Sequence, residues 1–174
     1  MSTSNAVLVV YYSVTGNTAR VARDLAARLN ADIEIIHDKA RGTGVLGRLS
    51  TTLDAWRQAP AKIGALRRNP EDYAITVVGT PVWNGQITPA ARAYLNQTAR
   101  RTQNVAFFIT SSDTDISQMA RSLEAAAGRM AVAAEGFTAA DLADAATYET
   151  MLADFAYRIA RRIARRYRAV RKAA

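Results

Sequence analysis

An apolar run, Val7-Leu8-Val9-Val10-Tyr11, stops abruptly in the short polar loop Tyr12-Ser13-Val14-Thr15-Gly16-Asn17-Thr18. Helical spacing begins straight afterwards, with Val21, Ala22, Leu25, Ala26 and Leu29. A near-continuous apolar strand is one that helices cover on both faces. The spacing predicts a strand over Ala6–Tyr11 feeding a helix over Thr18–Leu29. The first N–H groups of such a helix have no internal partner, and its dipole favours negative charge there. Ser13, Thr15, Asn17 and Thr18 can add side-chain hydrogen bonds to an anion, and Gly16 lets the backbone come close or take positive φ. The loop lacks both G-x-x-x-x-G-K-[ST] and G-x-G-x-x-G, so neither a β/γ-phosphate lysine nor a pyrophosphate turn is indicated. Neutral donors without a cation suit a single terminal phosphate. The plainer alternative is an ordinary helix start capped by Asn17 or Thr18.

The same alternation continues. Strands are expected over Asp32–Ile36, Ala74–Gly79, Asn104–Thr110 and Met130–Gly136, and helices over Pro89–Arg100, Asp115–Ala127 and from about Ala140 onward. Alternating strands and helices argue an α/β fold in three layers, a doubly wound five-stranded parallel sheet. Within Lys39–Asp72, the spacing of Leu46, Leu49, Leu53 and Trp56 predicts a helix over about Gly47–Gln58, with Trp56 packed into the core. The 174 residues are enough for a single domain over the whole chain. There is no cysteine and one histidine, His37, expected to be solvated. Disulfides, thiolate chemistry and histidine metal clusters are thereby excluded, so any chemistry falls to a bound cofactor. No apolar run approaches the roughly 20 residues that cross a bilayer. The N-terminus lacks a basic segment before its first apolar stretch, so no signal peptide is expected and the location is read as cytoplasmic.

Charge is distributed unevenly. From Arg158 to Lys172 there are eight basic residues and no acid, which accounts for the whole formal charge of +8. Leu152, Phe155, Ile159, Ile163, Tyr167 and Val170 recur at helical spacing through this segment. It reads as an amphipathic basic helix end, at about 158–172. It is either solvated or suited to an anionic surface. Specific nucleic-acid recognition is not expected, since Tyr167 is the one interleaved aromatic.

Tyr11-x-Ser13-x-x-Gly16-x-Thr18-x-x-x-Ala22-x-x-Leu25 resembles the flavodoxin phosphate-loop signature at every fixed position. Val77-Val78-Gly79-Thr80-Pro81-Val82-Trp83-Asn84-Gly85 is similar to the second flavin loop of that family, and Ile87–Leu95 resembles its next helix. The resemblance implies a sheet order of 2-1-3-4-5 and a noncovalently bound FMN. It places the FMN phosphate in Ser13, Val14, Thr15, Gly16, Asn17 and Thr18. The flavin ring would then lie against Thr80, Pro81, Val82, Trp83, Asn84 and Gly85, with Trp83 as platform and the Asn84–Gly85 peptide either free to flip or simply a turn. A third loop, Thr110, Ser111, Ser112 and Asp113, lacks the second aromatic usual in the family, which would leave one ring face open. Asp113 would make the flavin harder to reduce, or it and Asp115 would simply cap a helix. The implied function is electron transfer between redox partner proteins. The alternative is an FMN-dependent oxidoreductase taking electrons from NAD(P)H to a quinone or similar small acceptor. Flavodoxins that shuttle electrons are typically acidic, and the basic C-terminus departs from that pattern.

Overall fold

The computed structural model describes residues 6–39, 61–112 and 116–173. The expected helix over 47–58, Trp56 and Asp113 lie outside these residues. The described elements run β1 (Val7–Tyr11), α1 (Asn17–Leu29), β2 (Asp32–Ile35), a 3-10 turn (Pro70–Asp72), β3 (Ile75–Trp83), β4 (Gln86–Ile87), α2 (Pro89–Thr98), β5 (Val105–Ser111), α3 (Ile116–Ala127), β6 (Ala131–Thr138), α4 (Ala139–Ala143) and α5 (Ala145–Ala173). The sheet order is β2-β1-β3-β5-β6, with β4 paired to β3 alone. The five long strands are all parallel, with Val9 opposite both Ile33 and Val77, and Val77 opposite Ala106. Leaving aside the two-residue β4, this is the expected order.

Strand period two builds the three layers. Val7, Val9 and Tyr11 point to one side, where they meet Val21 and Leu25 of α1 and Leu152, Phe155 and Ile159 of α5. Leu8 and Val10 point to the other and meet Tyr94 and Leu95 of α2 and Met119 and Leu123 of α3.

Two boundaries differ from expectation. The third strand does not stop at Gly79 but runs on to Trp83, because its ladder with β5 continues through Thr80 opposite Ile109 and Pro81 opposite Thr110. β1 ends opposite Gly79. No β1 residue stands opposite Pro81, where a residue with no N–H is tolerated. The second difference is a break in the last helix at Asp144, which has extended backbone. Thr138 and Asp141 form a reciprocal capping box that starts α4. Asp144 then accepts the Thr147 N–H at 2.7 Å and starts α5. That hydrogen bond, the largest cause, holds the Asp144 carboxyl below its ordinary range.

Candidate functional site

The carboxyl ends of β1, β3 and β5 are neighbours, and their loops, residues 12–18, 80–88 and 110–112, meet at one pole of the sheet. This is also where the winding reverses: the strands after β1 go to opposite sides of it. Ligands of open α/β sheets bind at such a switch point.

The first loop is built around Gly16, the N-cap of α1, at φ 102° and ψ −21°. Only glycine takes this left-handed conformation readily. The capping side chain is Ser13, not Asn17 or Thr18. Its Oγ accepts the N–H of Gly16 at 3.3 Å and that of Ala19 at 3.2 Å. The amides of Asn17 and Thr18 lie between those two, in the first turn, where no intrahelical acceptor reaches them. Thr15, Gly16 and Asn17 are exposed, and Ser13 is half-buried. Val14 packs its side chain against the core. Thr18 is buried, and its hydroxyl shares a 2.7 Å hydrogen bond with that of Thr110. The helix start is thereby fastened to the end of β5, across 92 residues of sequence.

The second loop is a hairpin. Trp83 pairs with Gln86 and Val82 with Ile87, antiparallel, around Asn84 and Gly85. Both turn residues have positive φ, 49° and 68°. That is the requirement of a two-residue type I′ turn, which Asn-Gly meets best. The Asn-Gly pair followed two residues later by the apolar Ile87 was the signal for β4. Trp83 is half-buried at the lip, with Asn84 and Gly85 exposed beside it. Thr80, Pro81 and Val82 are buried. The Thr80 hydroxyl is bound to the Thr88 hydroxyl at 2.9 Å and donates to the Pro81 carbonyl. Thr88 in turn caps α2 by accepting the Ala91 N–H. Thr88 was not anticipated as part of the site, although Thr before Pro is a readable helix start. Its role is to brace the Trp83 hairpin on α2.

At the end of β5, Thr110 is occupied with Thr18, Ser112 is exposed, and the Ser111 hydroxyl is buried with no partner among the described residues. A buried hydroxyl left unpaired costs about 1–3 kcal/mol. Among the described residues of the three loops none is charged, while Asp113 and Asp115, which follow Ser112, lie outside the described residues. The nearest cation on α1, Arg20, donates to the Leu142 carbonyl at 2.9 Å, and its guanidinium lies 4.4 Å from the centre of the Tyr148 ring. The donors that the first loop itself offers are backbone N–H groups, hydroxyls and the helix dipole. Among the described residues no cluster of His, Cys, Asp or Glu could hold a metal.

Fold and site together define a doubly wound α/β protein with an uncharged strand-to-helix loop at its switch point. The family model described as flavodoxin matches residues 6–153, and the chain belongs to that family. A flavoprotein from Lactobacillus acidophilus NCFM, solved in complex with FMN, is 18% identical. The alignment covers 80% of this chain and 97% of that one, with a TM-score of 0.63. A flavoprotein from Bacteroides eggerthii DSM 20697 is 22% identical over 76% of this chain and 87% of its own, also at 0.63. A flavodoxin, WrbA-like protein from Agrobacterium tumefaciens is 18% identical over 91% and 99%, at 0.51. No curated protein matches the chain. At these identities the structural likeness speaks for the fold.

Proposed function

We propose that the chain is a single FMN-binding domain that works as an electron carrier, with FMN held noncovalently at the carboxyl pole of the sheet. The observation that carries this reading is the α1 start: two amides taken by Ser13, two left over, no charge within the loop itself, and Trp83 and the buried Ser111 hydroxyl at the same pole. The residues fit the group. The Asn17 and Thr18 N–H groups and the Ser13 and Thr15 hydroxyls would hold the phosphate. Trp83 would cover one face of the ring, and Ser111 would meet its polar edge. Bound FMN supplies one- or two-electron redox chemistry. The protein's part is to anchor the phosphate, stack the ring and limit water. The exposed Asn84–Gly85 peptide is placed to change its hydrogen bonding beside the ring without moving the strand it ends. Redox partner proteins and a cytoplasmic location complete this reading.

The test is binding of FMN against riboflavin to the apoprotein, followed by calorimetry and flavin fluorescence. FMN is expected to bind at least tenfold more tightly, since hydrogen bonds to a charged group contribute about 1.5–3 kcal/mol each. Equal dissociation constants would overturn the phosphate assignment. One observation favours a second reading, an oxidoreductase using NAD(P)H. No exposed aromatic other than Trp83 stands among the described residues of the three loops, so one ring face would be open. Anaerobic bleaching of the bound flavin by NADPH alone, at a rate that supports turnover, would select the enzyme over the carrier.

A further inference from the structure

At the pole opposite the candidate flavin site, α5 and the start of β6 enclose an open cleft of about 500 Å³. It is lined by Asn104, Met130, Val132, Arg158, Arg161, Arg162 and Arg165, among others. The position follows from topology. α5 starts beyond the carboxyl end of β6 and runs back along it, so its later residues reach the amino ends of β5 and β6. Arg158 is neutralised there: it pairs with Glu135 and Asp154 and donates to the Ala134 carbonyl. Arg129 spends its guanidinium on the carbonyls of Ala99 and Gln103, and Glu124 is taken by the Ala131 N–H. Arg161, Arg162, Arg165 and Arg168 have no ion pair among the described residues, and Arg161, Arg162, Arg165 and Arg168 are all exposed. In the same cleft Met130 is 83% exposed.

We propose that this pole docks onto a bilayer surface bearing anionic lipids. Three features favour lipid over the other polyanions. The first is the joining of unpaired arginines to a bare apolar side chain, since an interface takes the apolar group into the acyl boundary and the cations to the headgroups. The second is the sequence of α5, whose apolar spacing continues through Ile163, Tyr167 and Val170 with basic residues between and no acid after Asp154. The third is that the basic segment has a single interleaved aromatic, Tyr167, on which a base could stack. Ile163, beside these arginines, packs against the core and anchors this part of α5 to the body. The helix is about 43 Å long at 1.5 Å per residue. Among the described residues no helix is long and apolar enough to cross a membrane, so the contact is with a surface. Docking by this pole turns the Trp83 loops away from the bilayer. They would lie about 25 Å higher, the length of an eight-residue strand such as β6, and face partners in solution.

The experiment is flotation of the full chain with vesicles of phosphatidylcholine alone and of phosphatidylcholine mixed equally with phosphatidylglycerol, at low and high salt. Binding is expected only to the mixed vesicles and is lost at high salt. Arg161→Gln, Arg162→Gln and Arg165→Gln together should weaken it about 100-fold. The corresponding Lys variant should retain it, and Met130→Ala should weaken it about fivefold. Far-UV circular dichroism and thermal melting establish that each variant is folded, without reference to flavin. Equal binding to both vesicle types, no binding to the mixed vesicles, or no loss in the Gln variant would overturn the proposal. So would retention on duplex DNA that the Gln variant abolishes while vesicles are ignored. None of these readouts uses FMN, so the docking and the flavin reading fail separately.

Discussion

The two poles of this sheet handle negative charge by opposite means. At the carboxyl pole the donors are uncharged: the amides of Asn17 and Thr18, and hydroxyls whose neighbours are buried and tied to the core. At the amino pole the donors are guanidinium groups on one exposed helix face, and Arg161, Arg162 and Arg165 touch little else. A backbone cradle is shaped by the fold itself, so it can discriminate one anion by geometry but cannot be altered without disturbing packing. A set of arginines is nearly independent of the fold, so it attracts charge over a wide surface with little shape selection. The contrast predicts that substitutions at the first pole change stability and binding together. At the second they change binding alone.

The largest expected effect is in the packing under the first pole. A Cβ at Gly79 would lie 1.9 Å from the Phe108 ring, so Gly79→Ala cannot be accommodated without a shift. Overpacking of this kind costs about 1–3 kcal/mol. Phe108→Ala opens a cavity at a fully buried position and should cost about 3–5 kcal/mol. The double variant should cost clearly less than the sum, because the added methyl enters the vacated space. Additive denaturation midpoints would break this account.

Next comes the Thr18–Thr110 link. Thr18→Ala leaves the Thr110 hydroxyl buried and unpaired, a loss of about 1–3 kcal/mol in urea unfolding, with weaker FMN binding. Thr18→Ser should restore most of both. Thr15→Ala, at an exposed position, should weaken FMN binding without moving the melting temperature. The charge-removing triple variant at the opposite pole should shift stability by no more than about 0.5 kcal/mol. A loss as large as that of Thr18→Ala would mean that the arginines support the fold, and the contrast between the poles would fail.

A smaller effect is expected at Trp83. Its alanine variant should lose the stacking contribution of about 0.5–1.5 kcal/mol in FMN affinity and should change the visible flavin spectrum. An unchanged spectrum would place the ring elsewhere. The smallest effect is the acid response at the Asp144 cap. The folded state lowers this carboxyl below its unfolded value of 3.8, so its contribution is present above that pH and is lost as pH falls below it. Asp144→Asn should flatten the stability profile in that acid range and leave the neutral range nearly unchanged.

Much of this molecule is determined by sequence alone. Apolar runs of strand length alternating with helical spacing specify the layers, because each element must bury a particular face wherever it ends up. The start of α1 is readable for the same reason: a strand, a glycine and a helical spacing stand close together in sequence and need no help from elsewhere. Asn84-Gly85 likewise carries its own turn geometry. What tertiary structure decided are matters of who sits beside whom. β3 runs past Gly79 because β5 offers a ladder there, which no local pattern records. Thr18, expected to face a ligand, spends its hydroxyl on Thr110, and Thr80 spends its own on Thr88. Ser13, expected to donate to the anion, first accepts two amides and so shapes the place where an anion would go. The break at Asp144 was written in two capping patterns but hidden by the apolar spacing on either side. The basic run from Arg158 was plain in the sequence, yet only the path of α5 along β6 sets its arginines beside Met130. Local periodicity is a property of neighbouring residues. A shared hydroxyl or a cleft between distant elements exists only once the sheet has brought their ends together.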